Sequence, residues 1–137
     1  MTDALIKDVL TRTRRIAVVG VSPNPARSSH YVSEYLQQKG YDVVPVNPMH
    51  AGKEVFGKTI VATLAEIDPP VQMVDIFRRS EDVPPVVDEA LAAFPELETI
   101  WMQMGITNAE AAAKAEARGV DVIQDRCPKV EIPRLLG

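Results

Sequence analysis

Residues 16–28 read Ile-Ala-Val-Val-Gly-Val-Ser-Pro-Asn-Pro-Ala-Arg-Ser. An apolar run that ends at Gly20 has the pattern of a strand buried on both faces. A dinucleotide-binding βα turn begins this way, with a strand, a glycine and then a helix. Here serine and two prolines stand where the further glycines of G-x-G-x-x-G are expected. Gly20 still permits a tight turn and a close backbone approach. Ser22 offers a hydroxyl, and Arg27 a planar fork suited to phosphate. Ser28 and Ser29 open the following helix, where free amides and the helix dipole favour an anion. Ser29 serves equally well as a plain N-cap.

Outward from this stretch, strands and helices alternate. Upstream, Asp3 through Thr13 carries apolar residues at helical spacing. Downstream, Ser29 to Lys39 fits a helix stopped by Gly40, and Tyr41 to Val46 a second strand closed by Asn47-Pro48. Residues 49–59 form a glycine-containing loop, and Thr63 to Glu66 is a capping box for a short helix ending at Pro69-Pro70. Val71 to Phe77 reads as a third strand, followed by a helix from Val83 to Phe94 with prolines in its first turn. Thr99 to Met104 is a fourth strand, and the alanine-rich helix after Thr107-Asn108 stops at Gly119. Val120 to Ile123 is a fifth strand, and the tail from Cys127-Pro128 to Gly137 is left without an assigned element.

The strands are apolar runs rather than alternating patterns, which predicts an α/β fold of parallel βαβ units with helices on both faces. Right-handed crossovers leave few arrangements. The expectation is a single doubly wound, Rossmann-like domain over residues 1–137, a five-stranded parallel sheet in the order 3-2-1-4-5.

Composition narrows the function classes. The chain has 137 residues, is 46% hydrophobic and 25% charged, and carries a formal net charge of −4, which argues against nonspecific nucleic-acid binding. No apolar run is long enough to span a bilayer, and the N-terminus lacks a signal-peptide pattern. One cysteine and two separated histidines supply neither a disulfide framework nor a metal set. A cytoplasmic setting is expected.

Ligands of such sheets bind outside the carboxyl ends of the strands, here expected near a switch point between the first and fourth. The loops at that edge contain Arg27, Lys53, Lys58, Arg78, Arg79, Arg126 and Lys129. A basic rim on an acidic protein suggests an anionic ligand, although solvated loop charges would look the same. NAD enzymes usually end the second strand with an acidic residue that grips the ribose. This chain has Val46-Asn47-Pro48 there, which weighs against NAD and leaves room for a ribose that carries phosphate.

Five segments carry a resemblance over nearly the whole chain. They are residues 16–20 (Ile-Ala-Val-Val-Gly), Pro45 to Pro48, Val74 to Arg78, Trp101 to Ile106 and Asp125 to Cys127. In this order and spacing they resemble the small, single-domain CoA-binding protein family. That family is similar in fold to the CoA-binding domain of the succinyl-CoA synthetase α subunit and of NDP-forming acyl-CoA synthetases. The resemblance implies coenzyme A, or an acyl-CoA, along the carboxyl edge. It implies phosphate contacts from Gly20, Ser22, Arg27 and Ser28, and places Asn47 and Pro48 beside the adenosine, with Lys53 a further phosphate partner. Phe77, Arg78 and Arg79 would form the opposing wall, and Gly105 and Ile106 would lie near the thiol-bearing arm.

No catalytic set is expected. The synthetases relay a phosphoryl group through a histidine in a separate ligase domain, and neither His30 nor His50 matches that motif. No Ser-His-Asp order, HExxH or GxSxG occurs. Asp75 and Asp125 read as caps or loop anchors, and Trp101, Met102 and Met104 as core. Cys127 follows the fifth strand on the ligand side; it reads either as a small packing residue or as a thiol able to form a mixed disulfide with CoA. The expected function is a non-catalytic CoA-binding module, with self-association or a protein partner left open. The alternatives are an NAD(P)-binding oxidoreductase and a CoA-binding subunit that works with a separate synthetase chain.

Overall fold

The computed structural model describes residues 1–137. Its five helices are α1 (Asp3–Arg12), α2 (Ser28–Gln38), α3 (Val83–Ala93), α4 (Ala109–Ala117) and α5 (Pro128–Leu136). The strands are β1 (Arg15–Val19), β2 (Asp42–Val46), β3 (Glu54–Val55), β4 (Lys58–Thr59), β5 (Met73–Ile76), β6 (Thr99–Met102) and β7 (Asp121–Ile123). All but β3 and β4 join one five-stranded sheet whose neighbours pair in parallel. The two short strands β3 and β4 form an antiparallel hairpin of their own.

Alternation of side chains divides the core between the two faces of the sheet. Ile16, Val18, Met73, Trp101 and Ile123 point to one face and meet Ile6, Val9 and Leu10 of α1, Val32 and Leu36 of α2, and Ile132 of α5. Ala17, Val19, Val74, Ile76, Ile100 and Met102 point to the other and meet α3, α4 and Leu64. Each fully buried Val, Leu, Ile or Met among them stabilises the fold by about 1.5–3 kcal/mol relative to exposure. Helices on both faces and a parallel sheet are the α/β, Rossmann-like architecture expected from the apolar strands.

The strand order differs from the expected one. Across the sheet it runs β2-β1-β5-β6-β7, so the sheet strands, counted along the chain, lie in the order 2-1-3-4-5 rather than 3-2-1-4-5. Pro45 is the physical reason. Its carbonyl points away from β1 and accepts from the Val61 amide at 3.0 Å, so its missing N–H also faces outward. A strand lacking a ladder donor on one side is an edge strand. Val61 makes a single bridge at that edge and no full strand follows. The third strand instead takes the other side of β1, where Met73–Ile76 is buried at every residue. The switch point therefore lies between the first and third strands, at the carboxyl ends of β1 and β5.

The tail also differs, since Pro128 to Leu136 is helical. Pro128 stands at its first position, where an N–H is not needed, whereas Pro133 interrupts the ladder within it. The helix is held from outside. Arg134 reaches Asp3 of α1 at 2.9 and 3.0 Å and Glu131 at 2.6 Å.

Candidate functional site

At the switch point the chain turns at Gly20, with φ of +98°. Its amide donates to the Val46 carbonyl at 2.8 Å, which ties the first loop to the end of β2. A Cβ at this position would stand 2.2 Å from the Phe77 carbonyl oxygen and 2.9 Å from Arg78 Nη1. Glycine is thus required twice, by the left-handed backbone and by the passage of the β5 loop over it.

The loop that follows is closed by its own side chains. Ser22 Oγ accepts from the Asn24 amide at 3.1 Å, and Asn24 Oδ1 from the Ala26 amide at 3.0 Å. Ser29 Oγ accepts from the Ser22 amide at 3.0 Å, and His30 Nδ1 lies 2.9 Å from the Ser22 carbonyl. His30 is buried and packs edge-on against Phe56, a packing role. Ser29 fastens the loop rather than capping a helix.

Helix α2 has no side-chain cap, and the amides of Ser28 and Ser29 find no acceptor in the protein. Such an N-terminus presents free N–H groups and the positive end of the helix dipole. Helix α4 is the contrast. Asn108 Oδ1 caps it from the Ala111 amide at 2.9 Å, while Asn108 Nδ2 donates to the Ser80 carbonyl at 3.0 Å. The Asn108 amide itself donates to Gln124 Oε1 at 2.9 Å, so the capping residue of this helix is fully engaged.

Two cavities flank Arg78. The larger, about 830 Å³, is walled by Gly20, Arg27, Ser28, Phe77, Arg79 and Ile106, among others. The smaller, about 220 Å³, lies toward the α3 face beneath Pro48, between Val46, Leu64 and Val86. Arg78 lines both. It is half-buried, and neither it nor Arg27 takes part in an ion pair, whereas Arg79 is held by Asp82 at 2.9 Å and by Glu81 at 3.7 Å.

Eight of the expected site residues therefore border a cavity: Gly20, Arg27, Ser28, Phe77, Arg78, Arg79 and Ile106 the larger, Pro48 and Arg78 the smaller. Four do not. Ser22 is used inside its loop, and Lys53 Nζ lies 3.2 Å from His50 Nδ1 on the exposed second loop. Gly105 donates its amide to Asp125 Oδ1 at 2.6 Å, which makes Asp125 the loop anchor its position suggests. The Asn47 amide is buried, donating to the Val21 carbonyl and accepting from the Met49 amide, both at 3.0 Å. It braces the first loop against the second. The basic rim is also thinner than the sequence suggests. Lys58, in β4, pairs at 3.0 Å with Asp42 at the start of β2, the end of the sheet opposite the cavities.

The larger cavity also takes in Cys127 and Lys129, which the sequence places at the ligand edge, and two residues to which it assigns no role, Val130 and Gln103. Cys127, Lys129 and Val130 reach it because α5 begins there. Gln103 lines it from the end of β6. With its amide nitrogen turned toward Asp75, Gln103 Nε2 donates at 2.9 and 3.2 Å to the two carboxyl oxygens. Asp75 is neither cap nor loop anchor. It is fully buried in the middle of the sheet, beside Val18 and Trp101, and desolvation pushes its carboxyl well above the usual range against a bond from the Ile76 amide. The signal was available, since Asp75 and Gln103 are polar residues in apolar strands, and register puts Asp75 opposite Trp101, two residues before Gln103.

No helix is long and apolar enough to cross a membrane, and no three His, Cys, Asp or Glu side chains converge as a metal set. Residues 14–133 match the family described as CoA binding domain. The protein YneT of Bacillus subtilis (strain 168) is 44% identical over 127 residues, covering 93% of this chain and 91% of that protein. Among solved structures, that of cell-free ID.343 from Thermus thermophilus is 37% identical with a TM-score of 0.91, covering 98% of this chain and 99% of the other. A hypothetical protein from Pyrococcus horikoshii OT3 is 36% identical with a TM-score of 0.92, covering 100% of this chain and 94% of the other.

Proposed function

The chain belongs to the CoA-binding domain family, and on that premise we propose that it binds coenzyme A, or an acyl-CoA, at the carboxyl edge of its sheet, as a non-catalytic module in the cytoplasm. The observation that carries this reading is Arg78, a half-buried guanidinium without an ion-pair partner that stands between two cavities. A buried or half-buried cation without a counter-charge is costly, and a bound phosphate supplies that counter-charge. Around it converge the other groups a pyrophosphate needs: the free amides of Ser28 and Ser29, the Arg27 side chain, and the Gly20 turn.

The two cavities match the two ends of the ligand. The smaller, apolar slot beside Pro48 and Leu64 suits the flat base, and the larger cavity takes the pantetheine arm toward Gln103, Ile106 and Cys127. Arg79 contributes less than Arg78, because it is exposed and its Nε already donates to Asp82. Lys53 reaches the 3′-phosphate from the exposed second loop without a fixed geometry of its own.

An NAD-dependent activity is disfavoured by Asn47. That residue stands where an acidic side chain would grip the ribose, and both ends of its amide are committed to backbone groups. Thermal denaturation with CoA, dephospho-CoA, NAD and ATP tests the proposal. CoA should raise the melting temperature in a saturable way, following RT ln(1 + [L]/Kd), and NAD should not. Stabilisation by NAD with none by CoA would overturn it.

A further inference from the structure

We propose that the site is shaped for an acyl-CoA rather than for free CoA, with the acyl chain lying on an apolar seat made by Tyr31, Met104 and Val130. The inference rests on the CoA reading above and names the ligand class within it. Three separate elements bring these side chains to the larger cavity: the first turn of α2, the loop after β6 and the first turn of α5. Each remains open to solvent, Tyr31 at 44%, Val130 at 50% and Met104 at 60%. Among the other large apolar side chains only Met1, Met49 and Leu136 are comparably exposed. Single exposed apolar residues are ordinary, but three around one concavity mark a place where something apolar binds.

Position along the sheet edge says what that occupant is. The carboxyl ends run β1, β5, β6, β7 in order across the sheet. Gly20 and Arg78 stand at the first two, the cationic end, whereas Met104 follows β6 and α5 starts beyond β7. Neighbouring strands lie about 4.8 Å apart, so about 10–14 Å separate the phosphate end from the α5 end. The chain from the pyrophosphate to the sulfur of CoA has about thirteen bonds and extends about 15 Å, at about 1.2 Å per bond. An arm that starts at Arg78 therefore uses its whole length in reaching α5. A group carried on the sulfur lies beyond that point, against Val130, Met104 and Tyr31. The one cation lining this end, Lys129, lays its ammonium over the Tyr35 ring at 5.0 Å, so its charge already has an aromatic face and the seat itself is neutral. A methylene chain on such a seat leaves water together with the side chains beneath it.

Titration calorimetry with CoA and with acetyl-, butyryl-, hexanoyl- and succinyl-CoA tests the seat. Each added methylene should tighten binding about two- to fourfold until the chain outruns the three side chains. Succinyl-CoA, equal to butyryl-CoA in chain length but ending in a carboxylate, should bind more weakly than butyryl-CoA. Met104→Ser combined with Val130→Ser should abolish the chain-length dependence and leave free CoA unchanged; both side chains are exposed, so the fold does not rest on them. Affinities that ignore the acyl chain, or a preference for succinyl-CoA, would overturn the proposal and leave the CoA reading standing. So would a chain-length dependence that survives the double variant. Dimerisation of the free protein, seen by sedimentation and lost in the double variant, would assign the patch to a second copy and likewise overturn the proposal. Failure of all five ligands to bind would overturn both readings.

Discussion

Arg78 and Arg79 are adjacent in sequence and identical in charge, yet the structure separates their roles. Arg79 is paired on the surface, through its Nε, with Asp82 and Glu81. Arg78 lies across Gly20 between the cavities without a carboxylate. Arg78→Ala should therefore weaken CoA by about ten- to a hundredfold, as expected for lost charge-assisted hydrogen bonds. Arg79→Ala should change affinity by less than about threefold, since exposed pairs contribute little; equal losses in titration would contradict the distinction. Asp75 carries a pH prediction. Its folded-state value lies above the unfolded one because burial disfavours the charge. The folded state thus binds the proton more tightly, and this contribution is complete below the unfolded value of about 4 and is lost as pH rises through the folded value. Asp75→Asn should flatten the decline of melting temperature from about pH 4 upward. A variant whose profile parallels the original would show that Asp75 does not titrate in this way.

At the scale of elements, the two helix starts differ in how they are capped. α2 begins uncapped with free amides, and α4 begins with every polar atom of Asn108 engaged. On the proposed reading the anion sits at the first, which borders the larger cavity together with Gly20, Arg27 and Arg78. Both starts carry capping-type residues in sequence, Ser28-Ser29 and Thr107-Asn108, so residue type alone did not separate them. The difference arises because Ser29 Oγ turns back to the Ser22 amide, a contact created by the loop's closure. Helix α5 illustrates another limit. Pro128 is a good first residue, but Pro133 and the final glycine read as breakers, and only docking on α1 and the Arg134 clasp outweigh them. Pro133→Ala restores a backbone donor at an exposed position. It should stabilise the protein by about 1–2 kcal/mol, the cost of an interior proline less its benefit in the unfolded chain. Denaturant titration showing no gain would mean the bend at Pro133 is required by the packing.

For the whole molecule, the alternation of apolar runs with amphipathic helices made the α/β class and the five sheet strands legible. The strand order was legible too, through Pro45, but only when asked which side of the strand its missing N–H would face. The candidate site was legible as a set of loops at one edge. Which polar groups are free there was not, because pairing depends on neighbours far apart in sequence: Arg79 on Asp82, Lys58 on Asp42, Asn47 on Val21 and Gln103 on Asp75. What emerges is a carboxyl edge divided by one unpaired arginine, with a small apolar slot on one side and a longer cavity on the other. The most direct test is a crystal structure of the protein grown with CoA. The pyrophosphate is expected within hydrogen-bond distance of Arg78 and of the Ser28 and Ser29 amides, with the base beside Pro48 and the arm in the larger cavity. Phosphates bound away from Arg78, or an empty edge at saturating CoA, would contradict it.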